Sequence, residues 1–422
     1  MTAKNRLPRA VHYLLGLELI SALGSGLVLP FTAIYLYEVR DQPTGKIGLL
    51  MALMAVVGLG GSVLGGHIEK KIGFRQLAQL GLVIQGLGFL LIGQMSTLPT
   101  LAFAFAVTGL GTGLANPMLG VLLARLTPAS QHSQAFAASH WVLNLGVGGG
   151  ALLGGLLVAD LNKEHFAWIY LLNGISFVVL AAGLLPLRVA NPMEDPKSAT
   201  EDRPSPAGGY FALLAQPLLL LVLAVQLSSE ALGFAQVDSS VTLLLHNLAF
   251  SPTAIGMLIG ANTVAVILLQ IPISRWARQV PRHRLLMIQC GTWLVGYAVA
   301  AVATIWLSAL SVVLLVAFFV LVAVGECLYS SALMPLVNEI AHKEQLGKAF
   351  ALLSTVSNIS KLSGPALGLL LVGSAQPLSL WGLMAFGALV GLVSAAWAGV
   401  LIRRTPGNDS GGPQDSQLEM AG

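Results

Sequence analysis

Apolar runs long enough to cross a hydrocarbon layer of roughly 30 Å recur about twelve times in this chain, separated by short clusters of charge. This pattern restricts the fold, because backbone N–H and C=O groups in lipid must be satisfied within a helix or within a closed barrel. Alternation of apolar and polar residues at period two is absent, which disfavours an outer-membrane barrel and leaves helices. The runs fall at 12–37, 45–66, 76–94, 98–124, 134–159, 166–187, 211–237 (extensible to 245), 252–274, 283–305, 307–335, 348–373 and 377–402. Of 422 residues, 55% are hydrophobic and 9% charged, whereas soluble domains carry about 25% charged residues. The expected fold class is an all-α polytopic membrane protein with twelve transmembrane helices.

The loop charges orient these spans. With a cytoplasmic N-terminus, inner segments hold 18 of the 22 Lys and Arg residues, and outer segments hold Arg40, Lys46 and Lys163. Basic residues favour the cytoplasmic side, so both termini are expected inside. Lys4, Arg6 and Arg9 precede an apolar run too long for a signal peptide and without a clear small-residue cleavage site before Pro30, so it is kept as the first helix. At 189–210, Pro192, Pro196, Pro204 and Pro206 are mixed with charged residues, the composition of a cytoplasmic linker. It separates a first bundle at 1–188 from a second at 211–402, with 403–422 expected to form a disordered cytoplasmic tail.

Internal similarity supports the division. Residues 135–155 align without gaps to 349–369 with eight identities in 21 positions. Asn144, Gly150, Leu153 and Gly154 correspond to Asn358, Gly364, Leu367 and Gly368. The two segments are the fifth span of each half, as expected of two six-helix repeats related by an axis along the membrane normal.

With twelve spans, a central linker and paired fifth and eleventh helices, the chain resembles the major facilitator superfamily across residues 10–402. Within that superfamily it looks most like the twelve-helix bacterial drug:proton antiporters. The resemblance implies two pseudo-symmetric six-helix bundles around a cavity that opens alternately to each side. The loop Gly66-His67-Ile68-Glu69-Lys70-Lys71-Ile72-Gly73-Phe74-Arg75 is similar to the family's gating signature, with Lys70 at the usual acidic position and Phe74 at the first basic one. On the fifth helix, Gly150 to Gly155 resembles the antiporter motif with Ala151 in place of proline, while the second repeat carries Gly364-Pro365. Phe105 stands where the family often has an arginine. Gly325-Glu326 followed by Tyr329 resembles an acidic membrane position of some multidrug:proton antiporters.

Five ionisable residues lie inside the apolar runs: Glu18, Glu230, Asp238, Glu326 and Lys361. A charge at mid-bilayer costs about 2.5–3.5 kcal/mol even on insertion scales, so each calls for pairing, protonation or an aqueous cavity. Glu18 shares an arc of about 60° with Ser21, Ser25 and Thr32 at helical spacing; it is expected either to face substrate or protons, or to join neighbouring helices near the inner interface. Gln226 and Glu230 share a face, and Asp238 falls about 80° around and roughly 12 Å farther along a regular helix. Asp238 either carries protons inward or marks the outer end of its helix. Glu326 lies well inside the tenth span with more apolar sequence after it, which disfavours snorkelling, and Tyr329 and Ser330 at i+3 and i+4 offer hydroxyl donors. Lys361 lies on a stripe with Ser354, Asn358 and Pro365, where it either pairs with a buried carboxylate or binds an anionic group.

These residues assign proton coupling to Glu326, Glu230, Asp238 and Glu18, and charge tuning or anion binding to Lys361. The expected substrate cavity includes His140, Trp141, Asn144, Gln226, Tyr329 and Asn358. The gating motif is Gly66, Glu69, Lys70, Gly73, Arg75, Gly150, Gly154, Gly364 and Pro365. Cys290 and Cys327 suggest neither a disulfide framework nor a metal site. There is no phosphate-binding Walker loop and no metal-ligand spacing, so an enzyme is not expected. The leading expectation is a proton-coupled secondary transporter exporting amphipathic or cationic molecules from the bacterial cytoplasm. It would use no cofactor beyond the proton gradient, contact membrane lipids, bind no nucleic acid and act as a monomer. Alternatives are a lipid, fatty-acid or specific-metabolite carrier, and a non-transporting receptor or assembly protein.

Overall fold

A computed structural model describes residues 7–128, 131–187, 215–306, 308–340, 346–373 and 377–404. The linker expected at 189–210 and the tail beyond 404 lie outside the described residues. Twelve helical segments cover the expected runs: α1 Arg9–Val39, α2 Thr44–Ile72, α3 Phe74–Gln94, α4 Leu98–Arg125, α5 His132–Leu157, α6 Lys163–Gly183, α7 Pro217–Asn247, α8 Pro252–Ala277, α9 Arg282–Ile305, α10 Ala309–Ile340, α11 Leu346–Val372 and α12 Pro377–Arg404. Several start at proline, whose missing N–H would be unpaired in the first turn anyway: Pro217, Pro252 and Pro377 open α7, α8 and α12. Elsewhere a side chain caps the end. Asn162 Oδ1 accepts from the Glu164 N–H at 2.8 Å, and Ser251 Oγ from the Ala254 N–H at 3.2 Å.

The packing repeats from one half to the other. In the first half α1 packs on α5 and α6, α3 on α4 and α6, and α2 on α4. Adding six to each label gives the second half: α7 on α11 and α12, α9 on α10 and α12, and α8 on α10. The seams between halves obey the same rule, since α5 meets α8 and α2 meets α11. Two six-helix bundles related by a pseudo-twofold axis account for every one of these pairs.

Two helices depart from regular geometry, and they too are symmetry mates. In α1, Pro30 lacks an N–H, and a 3₁₀ turn at Leu29–Phe31 is followed by a π turn at Tyr35–Val39. In α7, π turns occupy Glu230–Phe234 and Val237–Val241 before the helix continues to Asn247. The stretch 239–245 is therefore helical. It packs against residues 29–34 of α1 at the end of the molecule remote from the N-terminus, here called the distal end.

Candidate functional site

The π turns decide where the acids of α7 point. Because each π turn closes on the fifth residue rather than the fourth, it takes up extra sequence, and Asp238 does not keep the 80° offset of a regular helix. Glu230 contacts α10 directly, and Asp238 acts on the same helix through its charge. Tyr329 Oη donates to Glu230 Oε1 at 2.9 Å, while Asp238 lies within electrostatic reach of Glu326, one turn before Tyr329. Gln226 Nε2 adds a second donor to Glu230 at 3.1 Å and also bonds the Leu353 carbonyl of α11 at 2.9 Å. Glu230 is 9% exposed, and its Oε2 has no partner among the described residues. It thus ties α7 to α10 and, through Gln226, to α11.

Asp238 and Glu326 are placed differently. The Asp238 side chain is exposed although protein surrounds it, and Glu326 is half-buried, so both border the space between helices. Asn262 of α8 donates to the Phe319 carbonyl at 3.1 Å and reaches Glu326 Oε1 at 3.5 Å. Two carboxylates within electrostatic reach of each other in a medium of low dielectric favour a state in which a proton or a cation joins them.

The first half contributes α5. Ser139 Oγ donates to Glu18 Oε2 at 2.7 Å, which turns Glu18 into the α1–α5 interface, 6% exposed. The next residue, His140, is exposed, and the Asn144 amide lies 3.0 Å from its Nε2. Lys361 of α11 is also exposed, and its charge bears on the His140 ring. Lys361 is absent from the three ion pairs between described residues, Asp160–His165, Glu38–His246 and Glu339–Arg282. Trp141 is 43% exposed. The Asn358 side chain lies outside the described residues.

The gating residues divide into bracing and seam contacts. Gly73 is the only break between α2 and α3; its φ of 86° is a backbone conformation that other residues rarely adopt. Arg75 then donates to the Leu185 and Leu187 carbonyls beyond α6, at 3.3 and 2.9 Å. Gly66 faces open space, and Glu69 and Lys70 take no part in an ion pair between described residues. Gly150 and Gly154 face Leu23 and Leu27 of α1, inside the first half. Gly148 and Gly155, on the other side of α5, face Thr263 and Pro252 of α8. Gly364, beside Pro365, packs on Ala231 and Ala235, and Gln236 Nε2 donates to the carbonyls of Ala231 and Gly364 at 2.8 and 2.7 Å.

These seams hold the distal end. Two hydrogen bonds between described residues join the halves, and both are there: Thr253 Oγ1 donates to the Gly155 carbonyl at 2.9 Å, and His246 Nε2 lies 3.1 Å from Glu38 Oε1. Gly48 meets Ala366 in the other seam. Asn262, Ser139, Gln236, Glu38 and His246 were not legible as site residues, since polar residues of these types recur in the chain and their pairing depends on helix register.

A twofold-repeated helical scaffold, a distal seal and titratable groups along the axis frame the comparison with known proteins. Residues 14–244 and 230–418 each match the Major Facilitator Superfamily profile. The chain belongs to the Major Facilitator Superfamily. It is 23% identical over 363 residues to the Uncharacterized MFS-type transporter YhjO of Bacillus subtilis (strain 168), covering 85% of each chain. It is 24% identical over 275 residues to the Multidrug resistance protein MdtH of Aeromonas salmonicida (strain A449), covering 65% of this chain and 66% of the relative. Among solved structures, the POT family transporter PepTSo superposes with a TM-score of 0.70 at 16% identity, covering 94% of this chain and 98% of that one. The likeness at that identity concerns the fold. Membership makes this a membrane-embedded transporter fold; no catalytic activity is indicated.

Proposed function

We propose that this superfamily member is a proton-coupled exporter of amphipathic, cationic molecules, acting as a monomer in a bacterial cytoplasmic membrane with both termini inside. The observation that carries the reading is the pair Asp238 and Glu326, two carboxylates bordering the space between helices. In this scheme a proton and a cationic substrate compete for the pair, so that binding one favours release of the other. Alternating access supplies the directionality: the halves rock about the axis, and the distal seal described above corresponds to the state open toward the cytoplasm. The relative named as a multidrug resistance protein supports the substrate class.

The test uses purified protein in liposomes, an imposed proton gradient and a panel of amphipathic cations that includes ethidium. Gradient-driven flux with matching proton movement is the expected result. Glu326→Gln should abolish the gradient-driven component while substrate exchange without a gradient continues. Full gradient-driven transport by that variant would end the assignment of Glu326, and a panel that moves no protons in the wild type would end the antiport reading.

A further inference from the structure

The acidic pair is not the only charge in the space between the halves. Lys361 is exposed within an apolar helix and makes no hydrogen bond or ion pair with the described residues. An ammonium group in a transmembrane segment carries a large desolvation penalty unless water or an anion attends it. The charge that bears on Glu326 is that of Asp238, with Asn262 as its bonded neighbour, so Lys361 does not neutralise that acid. Lys361 instead bears on His140 of α5, in the other half. The helices in the seams are α5 with α8 and α2 with α11, so His140 and Lys361 act on each other from opposite bundles without a direct helix seam between them.

The two poles also lie at different depths. Gly364 packs against Ala231 and Ala235, which sets the register of α11 beside α7. From that level Lys361 is one turn toward the N-terminal end, and Asp238 is more than one turn toward the distal end. By helical rise their backbone levels differ by roughly 12 Å. Glu18, the acid nearest His140 in sequence contacts, is bonded to Ser139 in the α1–α5 interface and does not offset Lys361.

We propose that the site is dipolar and selects amphiphiles bearing both charges, the cationic group seated at Asp238 and Glu326 and the anionic group at Lys361 and His140. Asn144 Nδ2 donates to His140 Nε2, which fixes the neutral ring with its proton on Nδ1 as the anion's donor. This deepens the export reading above and rests on it. A simple cation would leave Lys361 unattended and repelling it; a simple anion would meet the acids. A zwitterion with an apolar tail satisfies both poles.

Three probes with the same octyl tail separate these cases: octyltrimethylammonium, octyl sulfate and an octyl sulfobetaine, each used below its micelle-forming concentration. Binding to the full-length protein is measured by thermal shift, and flux in liposomes under a proton gradient. The sulfobetaine should bind about tenfold tighter than either singly charged probe, as expected for one further charge-assisted contact. Lys361→Gln should remove that preference while the octyltrimethylammonium affinity stays or rises, and Lys361→Arg should retain it, which separates recognition from misfolding. Equal or tighter binding of octyltrimethylammonium by the wild type, with gradient-driven flux intact, overturns the dipolar site and leaves proton-coupled export standing. A sulfobetaine preference that survives Lys361→Gln overturns the role of Lys361 and the inference with it. No flux of any of the three probes overturns the inference, while the cation panel that includes ethidium decides the export reading separately.

Discussion

Glu230 of α7 is bonded to Tyr329 of α10, and Glu326 lies one turn before Tyr329 on α10, yet the surroundings of the two acids differ. Glu230 accepts from Tyr329 and Gln226 in a closed site. Glutamine at this position keeps the accepting Oε1, so Glu230→Gln should leave gradient-driven transport near wild type, in contrast to Glu326→Gln. Tyr329→Phe takes a donor from a buried carboxyl whose second oxygen already lacks a partner among the described residues. Its expected loss is about 1–3 kcal/mol of stability, read as a lower melting midpoint in detergent with substrate selectivity unchanged. Loss of proton coupling in Glu230→Gln with a normal melting midpoint would return Glu230 to the proton path.

Among the elements, α5, α7, α10 and α11 carry the candidate site, and they were legible to different degrees. A charge inside an apolar run is visible in one dimension, so Glu18, Glu230, Asp238, Glu326 and Lys361 stand out from sequence alone. The repeat between α5 and α11 was visible for the same reason, as was the count of spans. The facing of Asp238 was not, because regular helical spacing places it 80° from Glu230 and the π turns of α7 change that offset. The partners of the acids were hidden as well: Ser139 and Asn262 come from other helices and acquire meaning only through register. On α5, small residues make two surfaces, and the one toward α8 is the distal seam. A side chain added at Gly155 would meet the Pro252 carbonyl, and one at Gly256 the Ala151 carbonyl, the close approach that small residues permit between helices in lipid. Gly155→Leu should therefore wedge the seam without unfolding either bundle. Spin labels on Lys46→Cys and Asn247→Cys, in a background with Cys290 and Cys327 replaced, should move apart by several ångströms, and transport should fall. An unchanged label distance would show that the seam accommodates the side chain in the closed state.

For the whole molecule, the distal seal is built from weak parts. The Glu38–His246 pair is partly exposed, with side-chain exposures of 37% and 12%, and pairs of that kind contribute about 0.2–1 kcal/mol. Glu38→Gln or His246→Ala should accordingly shift the balance of the closed and open distal end by no more than about fivefold. The same pair of spin labels reads that shift. The double variant should be no further displaced than either single one if the two side chains act through each other. Additive displacement would mean that each holds the seal by separate contacts. A seal assembled from several such contacts opens without any single strong bond having to break.

The one-residue junction at Gly73 bears on how such opening would travel. Helix α2 is 29 residues long, about 43 Å by helical rise, and it runs from the α11 seam to Gly73 with no proline in its interior. Beyond Gly73 the chain enters α3 at once, and Arg75 fastens it to the end of α6. There is no slack in which a displacement can be absorbed. A tilt of about 10° at one end of a rod this long sweeps the other end through about 7 Å, so a small loosening at the seam would become a large excursion at the opposite rim, delivered to α3 and α6 as a lever delivers it to its load.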